Sequence, residues 1–221
     1  MEAAAYDAWY QSARGAWIGD IEYRLLNRML RPQPGATLLD VGCGTGYFTR
    51  RFARDAGLRV TGVDPNFDWL NYARAHSRAN EVYVAGNALD VPFADASIDF
   101  TISVTALCFI KDQQRALKEI IRVARRGFAL GLLNRHSLLY RQKGKEGGSG
   151  AYKGARWHTV REVHELLSSV AMSGASVRTA VFLPSAGMIG RAVEPFAPSV
   201  LPWGAFIAVA GQTNALNLAI P

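Results

Sequence analysis

Cysteine is scarce in this sequence, because only Cys43 and Cys108 occur among its 221 residues. Two cysteines cannot form a disulfide framework, and these two do not have the spacing of metal ligands. The scarcity therefore excludes a small disulfide-stabilised module and gives no indication of a bound metal. We expect a protein of the reducing cytoplasm.

Long hydrophobic runs are also lacking. An apolar run such as residues 128–133 is far shorter than the roughly 20 residues that a transmembrane helix needs, so no membrane span is predicted. The first nine residues, MEAAAYDAW, contain an early acid and no basic region followed by an apolar run. This beginning argues against a signal peptide.

The chain also lacks internal repeats and any linker long enough to divide it. Its 221 residues, 49% hydrophobic and 19% charged, are enough to bury one α/β core. We therefore expect a single domain, residues 1–221. The formal net charge of +7 suggests an anionic partner, although charge by itself does not identify one.

Short apolar runs alternate with segments of helical periodicity along most of the chain. The predicted strands are residues 36–41, 58–63, 81–85, 98–104, 128–133, 175–183 and 206–210. The predicted helices are residues 47–56, 67–76, 113–124 and 159–170. This alternation indicates an α/β fold with a doubly wound parallel sheet, which binds ligands at the carboxyl ends of its strands.

The pattern is looser after the fifth predicted strand. Residues 139–156 are rich in Gly, Lys and Arg, have no periodicity, and include five basic residues and one acid. Thr159 and Glu162 then match a capping box that opens a helix. We expect residues 139–158 to form a basic, glycine-rich loop over the mouth of the substrate site.

A glycine-rich turn follows the first predicted strand, in the stretch LLDVGCGTG (residues 38–46). Gly42, Gly44 and Gly46 have the spacing G-x-G-x-G. A dinucleotide fingerprint has G-x-G-x-x-G, and a phosphate-binding loop ends in Lys followed by Ser or Thr. Asp40 precedes the turn, and its carboxylate would repel a phosphate but suits an ammonium or sulfonium group. The turn therefore indicates a nucleotide without a pyrophosphate.

A second acid lies at the end of the next predicted strand. This is Asp64, 24 residues after Asp40. At this position of a doubly wound fold a carboxylate accepts hydrogen bonds from ribose hydroxyls. A ribose without a pyrophosphate, joined to a cationic group, describes S-adenosylmethionine, which we therefore expect as the cofactor.

Five stretches in chain order carry a family resemblance. They are DVGCGTG (40–46), GVDP (62–65), GNA (86–88), IDF (98–100) and CFIKD (108–112). They resemble the motifs of class I S-adenosylmethionine-dependent methyltransferases, most of all the ubiquinone and menaquinone biosynthesis branch, known as methyltransferase type 11. The resemblance covers residues 6–133. It implies a Rossmann-like, seven-stranded, mainly parallel sheet with the last strand antiparallel and helices on both faces.

The resemblance also implies which residues bind the cofactor. They are Tyr6, Arg14, Asp40, Gly42, Gly44, Asp64, Pro65, Asn87, Ala88 and Thr105. In relatives, residues 1–30 form a helical cap over the cofactor, where Arg14 would pair with the methionine carboxylate. Asp64 would hold the ribose, and Thr105 would lie beside the reactive methyl group. Many relatives have Asp where this chain has Asn87, whose side-chain oxygen can still accept a hydrogen bond from adenine.

The motifs say less about the methyl acceptor. The sulfonium methyl group is already activated, so the protein must mainly align the acceptor and exclude water, and no catalytic triad is expected. His136 and His158 flank the expected substrate mouth and are our candidate catalytic residues. The fourth predicted strand ends without the Asn/Asp-Pro-Pro-aromatic stretch of nucleic-acid amino methyltransferases or the acidic pair of magnesium-dependent O-methyltransferases. The absence of both motifs favours a small acceptor that is bound without a metal.

We therefore expect an enzyme that transfers a methyl group from S-adenosylmethionine to a small molecule. The basic residues 139–156 and the apolar residues 181–203 favour an anionic or lipid-like acceptor. Two alternatives stay open. One is an RNA methyltransferase that uses the basic charge to bind phosphate, although no RNA-binding appendage is visible and a nucleic-acid partner is not favoured. The other is a regulator that binds the cofactor without catalysis. A dehydrogenase, which would bind NAD instead, is the least favoured reading. The oligomeric state is not predicted.

Overall fold

The computed structural model describes residues 2–184 and 187–213, without the side chains of Met188 and Ile189. Its centre is a seven-stranded sheet. The strands are β1 (Thr37–Val41), β2 (Arg59–Asp64), β3 (Val82–Ala85), β4 (Ile98–Val104), β5 (Ala124–Leu133), β6 (Ser173–Ala180) and β7 (Phe206–Gln212). Each of them overlaps one of the strands predicted from the sequence.

The strand order is β3-β2-β1-β4-β5-β7-β6. Strands β1 to β5 pair in parallel, whereas β7 runs antiparallel to both of its neighbours, β5 and β6. The prediction of a doubly wound sheet with an antiparallel last strand is confirmed. Because the winding direction changes between β1 and β4, the carboxyl ends of these two strands form the crevice in which such folds bind ligands.

Helices cover the sheet. In the described ranges they are α1 (Ala3–Gln11), α2 (Ala13–Leu30), α3 (Tyr47–Asp55), α4 (Phe67–Ala75), α5 (Gln113–Val123), α6 (Leu138–Lys143), α7 (Val160–Leu167) and α8 (Gly187–Val193). Among these residues no helix has both the length and the apolar character that crossing a membrane requires.

Polar caps begin several helices where the sequence predicts them. Asp112 accepts a hydrogen bond from the N–H of Arg115 at the start of α5, and Thr159 and Glu162 form the predicted capping box of α7. Asn66 caps α4 two residues after the end of β2. The Asn66 cap fixes where the chain turns after β2, next to the candidate site residues Asp64 and Pro65.

Strand β5 runs through the middle of the core. Arg125 and Arg126 near its start are exposed, but residues 127–133 are all buried. Its neighbour β4 contributes Ile102, which is fully buried. A central strand is covered on both faces, which explains the unbroken apolar run by which β5 is predicted.

Two segments expected to be loops contain short helices. Residues 139–158 include most of α6 and two 3-10 helices, Lys145–Gly147 and Gly150–Tyr152. Ser137 caps α6 by accepting a hydrogen bond from the N–H of Tyr140. Helix α8 similarly lies between β6 and β7, in the stretch where Pro184, Pro195, Pro198 and Pro202 predict a loop. One or two turns are too short to repeat an apolar pattern, so helical periodicity could not reveal them.

The first 30 residues, expected to form a helical cap, form α1 and α2. Helix α2 packs against β5, β7 and α3, so it belongs to the layer of helices on the sheet. Helix α1 contacts α4 and is hydrogen-bonded to the glycine turn. Of the two helices, α1 is the one that covers the turn.

Candidate functional site

The glycine turn between β1 and α3 is tied to the end of β2 by hydrogen bonds. The N–H groups of Gly42 and Cys43 donate to the carbonyl oxygen of Val63, over 2.7 and 3.0 Å. Gly44 donates its N–H to Oδ2 of Asp64 over 2.9 Å. The two strand ends that carry the predicted cofactor residues therefore form one rigid unit.

Glycine is required at Gly42 and Gly44 for two reasons. Both residues have left-handed φ angles, +77° and +56°, which glycine adopts without steric cost. A Cβ atom on Gly42 would lie 2.2 Å from the Cβ of Ala106, and one on Gly44 would lie 3.0 Å from the Trp69 ring. The protein's own side chains therefore pack too closely against the turn to admit a larger residue.

Two carboxylates lie buried beside this turn. Asp40 accepts a hydrogen bond from Oγ1 of Thr49 over 2.7 Å, and Asp64 accepts the N–H groups of Gly44 and Asn66, each over 2.9 Å. Burial raises the pKa of Asp40 to about 7, and the charge of Asp64 adds to this rise. Burial also raises the pKa of Asp64. Within residues 2–184 and 187–213, no arginine or lysine forms an ion pair with either group.

This arrangement fits S-adenosylmethionine. Two buried carboxylates without a cation are stabilised by a positively charged ligand, and the cofactor's sulfonium and ammonium groups carry that charge. Each carboxylate oxygen has two lone pairs, so Asp64 keeps acceptor positions for ribose hydroxyls after its two backbone bonds are made. A phosphate group would instead meet two negative charges.

The predicted adenine contacts lie just beyond the carboxyl ends of β2 and β3. Asn87 is exposed, and its Oδ1 accepts the N–H of Leu89 over 2.9 Å. The second lone pair of that oxygen and the amide N–H groups are left for a ligand. Ala88 is buried and Pro65 is exposed. Contact of these residues with adenine stays a prediction.

Thr105 directly follows β4 in a strained conformation. Its φ is +59° although its side chain is β-branched, and such strain is concentrated at functional sites. Its N–H donates to the carbonyl oxygen of Gly131 over 2.8 Å, which holds it against β5. Burial raises the pKa of Tyr6, and the side chains of Tyr10 and Thr105 lie near enough to oppose that rise. Two predicted cofactor contacts, Tyr6 and Thr105, are thus brought together.

A partly buried ion pair that the sequence does not predict holds α1 against the glycine turn. Asp7 pairs with Arg50 over 2.7 Å, and Arg50 also donates to the carbonyl oxygen of Thr45 over 2.6 Å. Asp7 accepts further hydrogen bonds from Oγ1 of Thr45 and the hydroxyl of Tyr72, over 3.2 and 3.4 Å. The partners lie 38 to 65 residues from Asp7 in the sequence, so no short motif could reveal the cluster.

Two other predicted residues lie at the edge of this region. Arg14 is exposed in the first turn of α2. Burial raises the pKa of Tyr152 to about 12, and Arg14 is near enough to oppose that rise. His136 is exposed after β5, and its N–H donates to Oδ1 of Asn134 over 2.9 Å. The roles of Arg14 and His136 stay predictions.

His158 is held in packed surroundings. Its Nε2 lies 3.0 Å from Oε1 of Gln113, and Nε2 of Gln113 donates to the carbonyl oxygen of Leu107. Burial lowers the pKa of His158 to about 4, so the ring is neutral at pH 7. These contacts fit a packing role, and a catalytic role for His158 stays a prediction. In the described part of the chain, His, Cys, Asp and Glu side chains form no cluster that could hold a metal.

Comparison with known proteins agrees with this geometry. Residues 39–130 match a family described as methyltransferase domain. A malonyl-[acyl-carrier protein] O-methyltransferase from Serratia marcescens is 39% identical over 125 residues, which are 57% of this chain and 46% of that protein. The chain spans less than half the length of this and other curated methyltransferases that it matches.

Two further relatives are similar to nearly the whole chain. An uncharacterized protein from Mycobacterium tuberculosis is 30% identical over 223 residues, covering 97% of this chain and 73% of that protein. A solved S-adenosylmethionine-dependent methyltransferase from Thermotoga maritima, described as a possible histamine N-methyltransferase, has a TM-score of 0.77 and 28% identity, covering 96% of each chain. Sequence, fold and site geometry agree: the chain belongs to the class I S-adenosylmethionine-dependent methyltransferases.

Proposed function

We propose that this protein transfers a methyl group from S-adenosylmethionine to a small-molecule acceptor. The observation that carries the proposal is the pair of buried carboxylates, Asp40 and Asp64, beside the glycine turn at the crevice of the sheet. Within the described residues no cation neutralises them. A cationic nucleoside supplies the missing charge, whereas a phosphate would not.

The relatives support methyl transfer as the reaction, but their acceptors differ from one another. The Serratia protein is an O-methyltransferase of malonyl-[acyl-carrier protein], and the Thermotoga protein is described as a possible histamine N-methyltransferase. One of these acceptors carries an acyl group and the other is an amine. The class of acceptor for this chain must therefore be argued from its own residues.

When bound, S-adenosylmethionine supplies a methyl group that its positively charged sulfur has already activated. The chain's own residues have to orient the reactants and exclude water. Asp64 would accept bonds from the ribose hydroxyls, and Asp40 would lie beside a cationic group. The rings of Tyr6 and Trp69, with centroids 5.0 Å apart, and the strained Thr105 lie where α1 meets the carboxyl ends of the strands.

We propose that α1 and the segment after β5 shield this site from water. Lys143, Lys145 and Lys153 of that segment are exposed, whereas Tyr152 is half-buried and Trp157 is buried. Aromatic side chains are therefore among those that turn inwards. The anionic or lipid-like acceptor stays a prediction. The lysines of this segment are exposed, so they could attract such a molecule only from the surface.

We also propose that the enzyme acts in the cytoplasm and does not bind nucleic acid. Cys43 and Cys108 are buried free thiols, as expected in a reducing compartment. Several arginines, among them Arg50, Arg51 and Arg122, are engaged in ion pairs with acids. This pairing reduces the basic surface that could contact phosphates.

The proposal is tested by measuring S-adenosylhomocysteine formed from S-adenosylmethionine in the presence of small amines, alcohols, thiols and carboxylic acids. We expect at least one of these classes to support turnover. Asp64→Ala should abolish it, and Asp68→Ala, which removes an exposed acid from the first turn of α4, should retain it.

A protein that binds the cofactor but gives no turnover with any class would contradict the proposal and support a non-catalytic regulator. RNA binding with a steep salt dependence would support the RNA methyltransferase alternative instead.

A further inference from the structure

The segment between β6 and β7 presents apolar side chains to solvent. Every exposed residue of the stretch 192–203 is apolar, and Phe196 exposes 85% of its surface, Val200 68% and Trp203 57%. The exposed residues are Ala192, Val193, Pro195, Phe196, Pro198, Val200 and Trp203. Single exposed hydrophobic residues are common, but a continuous run of them indicates a surface that contacts another molecule.

The polar groups of the same stretch are turned towards the protein. Glu194, its one charged residue, accepts hydrogen bonds from the N–H groups of Val181 and Phe182, over 2.5 and 2.9 Å. The carbonyl oxygen of Ser199 accepts the N–H of Thr179 over 2.7 Å. These bonds fasten the stretch to the end of β6. The exposed apolar side chains therefore belong to a segment that is fixed to the fold.

A basic segment adjoins this apolar stretch. The side-chain amide of Asn134, directly after β5, donates to the carbonyl oxygens of Pro202 and Gly204, each over 2.7 Å, on either side of Trp203. The chain after Asn134 is the glycine-rich basic segment, and it returns to Asn134 at His158, with which Asn134 forms a β-bridge. The apolar stretch and the basic segment therefore lie side by side at the edge where β5 ends.

The cations of the basic segment have no acidic partners in the described part of the chain. Its exposed basic residues are Arg141, Lys143, Lys145, Lys153 and Arg156, and none of them forms an ion pair within residues 2–184 and 187–213. Glu146 is the one acid among residues 139–156. An excess of positive charge thus lies next to apolar surface.

Two more apolar side chains extend this surface. Phe109, after β4, is 49% exposed, and Leu138, after β5, is 42% exposed. The N–H of Arg156 donates to the carbonyl oxygen of Cys108 over 2.7 Å, which places the end of the basic segment beside Phe109. We call the exposed side chains at positions 109, 138 and 192–203, together with the basic ones of residues 139–156, the apolar–basic surface.

We propose that the apolar–basic surface docks on a lipid bilayer that contains anionic lipids. Tryptophan is enriched at the level of the headgroups, and lysine and arginine are attracted to the negative charge of the cytoplasmic leaflet. RNA would contact the basic side chains but leave Phe196 and Val200 in water. A second copy of this chain, with its own net charge of +7, would bring two basic segments together.

The test is cosedimentation of the full chain with vesicles. One set consists of phosphatidylcholine, and the other is an equimolar mixture of phosphatidylcholine and phosphatidylglycerol. We expect the anionic vesicles to be bound at least about tenfold more tightly, with an affinity that falls as salt screens the attraction. Docking requires no methyl transfer, so this proposal does not depend on the proposed function.

Charge variants test the basic half of the surface. Replacing Lys143, Lys145 and Lys153 together by Gln should weaken binding to anionic vesicles at least about tenfold, because each basic residue near such a surface contributes about fivefold. The matched control removes three exposed arginines at or before the starts of β1, β2 and β3, at the other edge of the sheet. It combines Arg31→Gln, Arg59→Gln and Arg78→Gln, and it should bind like the unmodified protein.

Apolar variants test the other half. Phe196→Ser combined with Val200→Ser should also weaken vesicle binding at least about tenfold, since neither side chain then enters the bilayer. Thermal midpoint and S-adenosylhomocysteine affinity should not change, because both side chains are exposed. Val82→Ser, an exposed position at the start of β3, is the control. Brominated phosphatidylcholine should quench the protein's fluorescence, and Trp203→Phe should reduce that quenching.

Several results would overturn the proposal. They are equal binding of neutral and anionic vesicles, no binding of either, or unchanged binding by the variant with both Phe196→Ser and Val200→Ser. A dimer in light scattering that this variant dissociates would assign the surface to a second copy. RNA binding that only the lysine variant weakens would assign the basic half to RNA. S-adenosylhomocysteine affinity is measured on the same samples, and its absence would contradict the proposed function whatever the vesicles show.

Discussion

Single residues of the cofactor site are constrained by neighbours from other strands and helices. Gly42 has a left-handed φ and contacts the chain after β4, and Asp40 is buried with a raised pKa. Both residues could be predicted from the sequence, because glycine spacing and an acid at a strand end are local signals. The role of Asp7 could not, since one acid in a helix has the same local pattern whether it faces solvent or pairs with a distant arginine.

We expect Gly42→Ala to destabilise the protein more than Gly35→Ala. The two glycines have similar left-handed φ angles, +77° and +80°, so a Cβ costs about 1–2 kcal/mol of strain at each. Only at Gly42 would the new Cβ also collide, 2.2 Å from the Cβ of Ala106, whereas Gly35 faces open space. Overpacking should add about 1–3 kcal/mol. Urea unfolding measures the difference, and equal losses would show that the contact has no effect.

Asp40→Asn should change how stability depends on pH in the ligand-free protein. The pKa of Asp40 is raised to about 7, against about 3.9 in an unfolded chain, so the folded state binds more protons between these values. Its contribution to the free energy of unfolding therefore falls as pH rises from about 4 to 7.

The Asn variant keeps an acceptor for Thr49 and removes this titration. Relative to the unmodified protein it should become more stable as pH rises through this window, by roughly 1.4 kcal/mol for each unit of the pKa difference. Urea unfolding at pH 5 and pH 8 measures the change. A stability difference that does not vary with pH would contradict the buried, ligand-free state described for Asp40.

Secondary-structure elements between β1 and β5 could be predicted well, because the strands are apolar runs, the helices show helical periodicity, and α4 and α5 begin at polar caps. The predictions were weaker for α1, α6 and α8. Their positions depend on contacts with distant residues, as in the pair between Asp7 and Arg50, and a short helix carries too few residues to show a period.

The contact of Arg50 with both α1 and the glycine turn predicts the effect of Arg50→Met. This change leaves Asp7 buried without its cation, which should cost roughly 3–5 kcal/mol of unfolding free energy. It should also weaken S-adenosylhomocysteine binding, because α1 is no longer held against the glycine turn. Arg54→Met breaks an exposed pair with Asp55 and should cost no more than about 1 kcal/mol. Thermal and urea unfolding of both variants provide the comparison.

A double variant tests the origin of that cost. Asp7→Asn combined with Arg50→Met should be more stable than Arg50→Met alone, because no charge is then left buried and unpaired. Additive losses would contradict a direct ion pair between Asp7 and Arg50.

The fold of the whole molecule brings residues that are far apart in the sequence together at one edge of the sheet. The strand order places the ends of β1 and β4 side by side, and α1 and the segment after β5 add aromatic side chains. The alternation of strands and helices predicts that edge, because all parallel strands end on the same side. The acceptor side was less predictable, since it depends on how α2 and the later segment pack against the edge.

The central claim is that this edge binds S-adenosylmethionine and that Asp64 holds its ribose. Calorimetry with S-adenosylhomocysteine and with NAD, on the unmodified protein, Asp64→Ala and the exposed control Asp68→Ala, tests it most directly. We predict tight binding of S-adenosylhomocysteine to the unmodified protein and the control, binding at least about tenfold weaker to Asp64→Ala, and no binding of NAD. Unchanged affinity in Asp64→Ala, or a preference for NAD, would contradict the account.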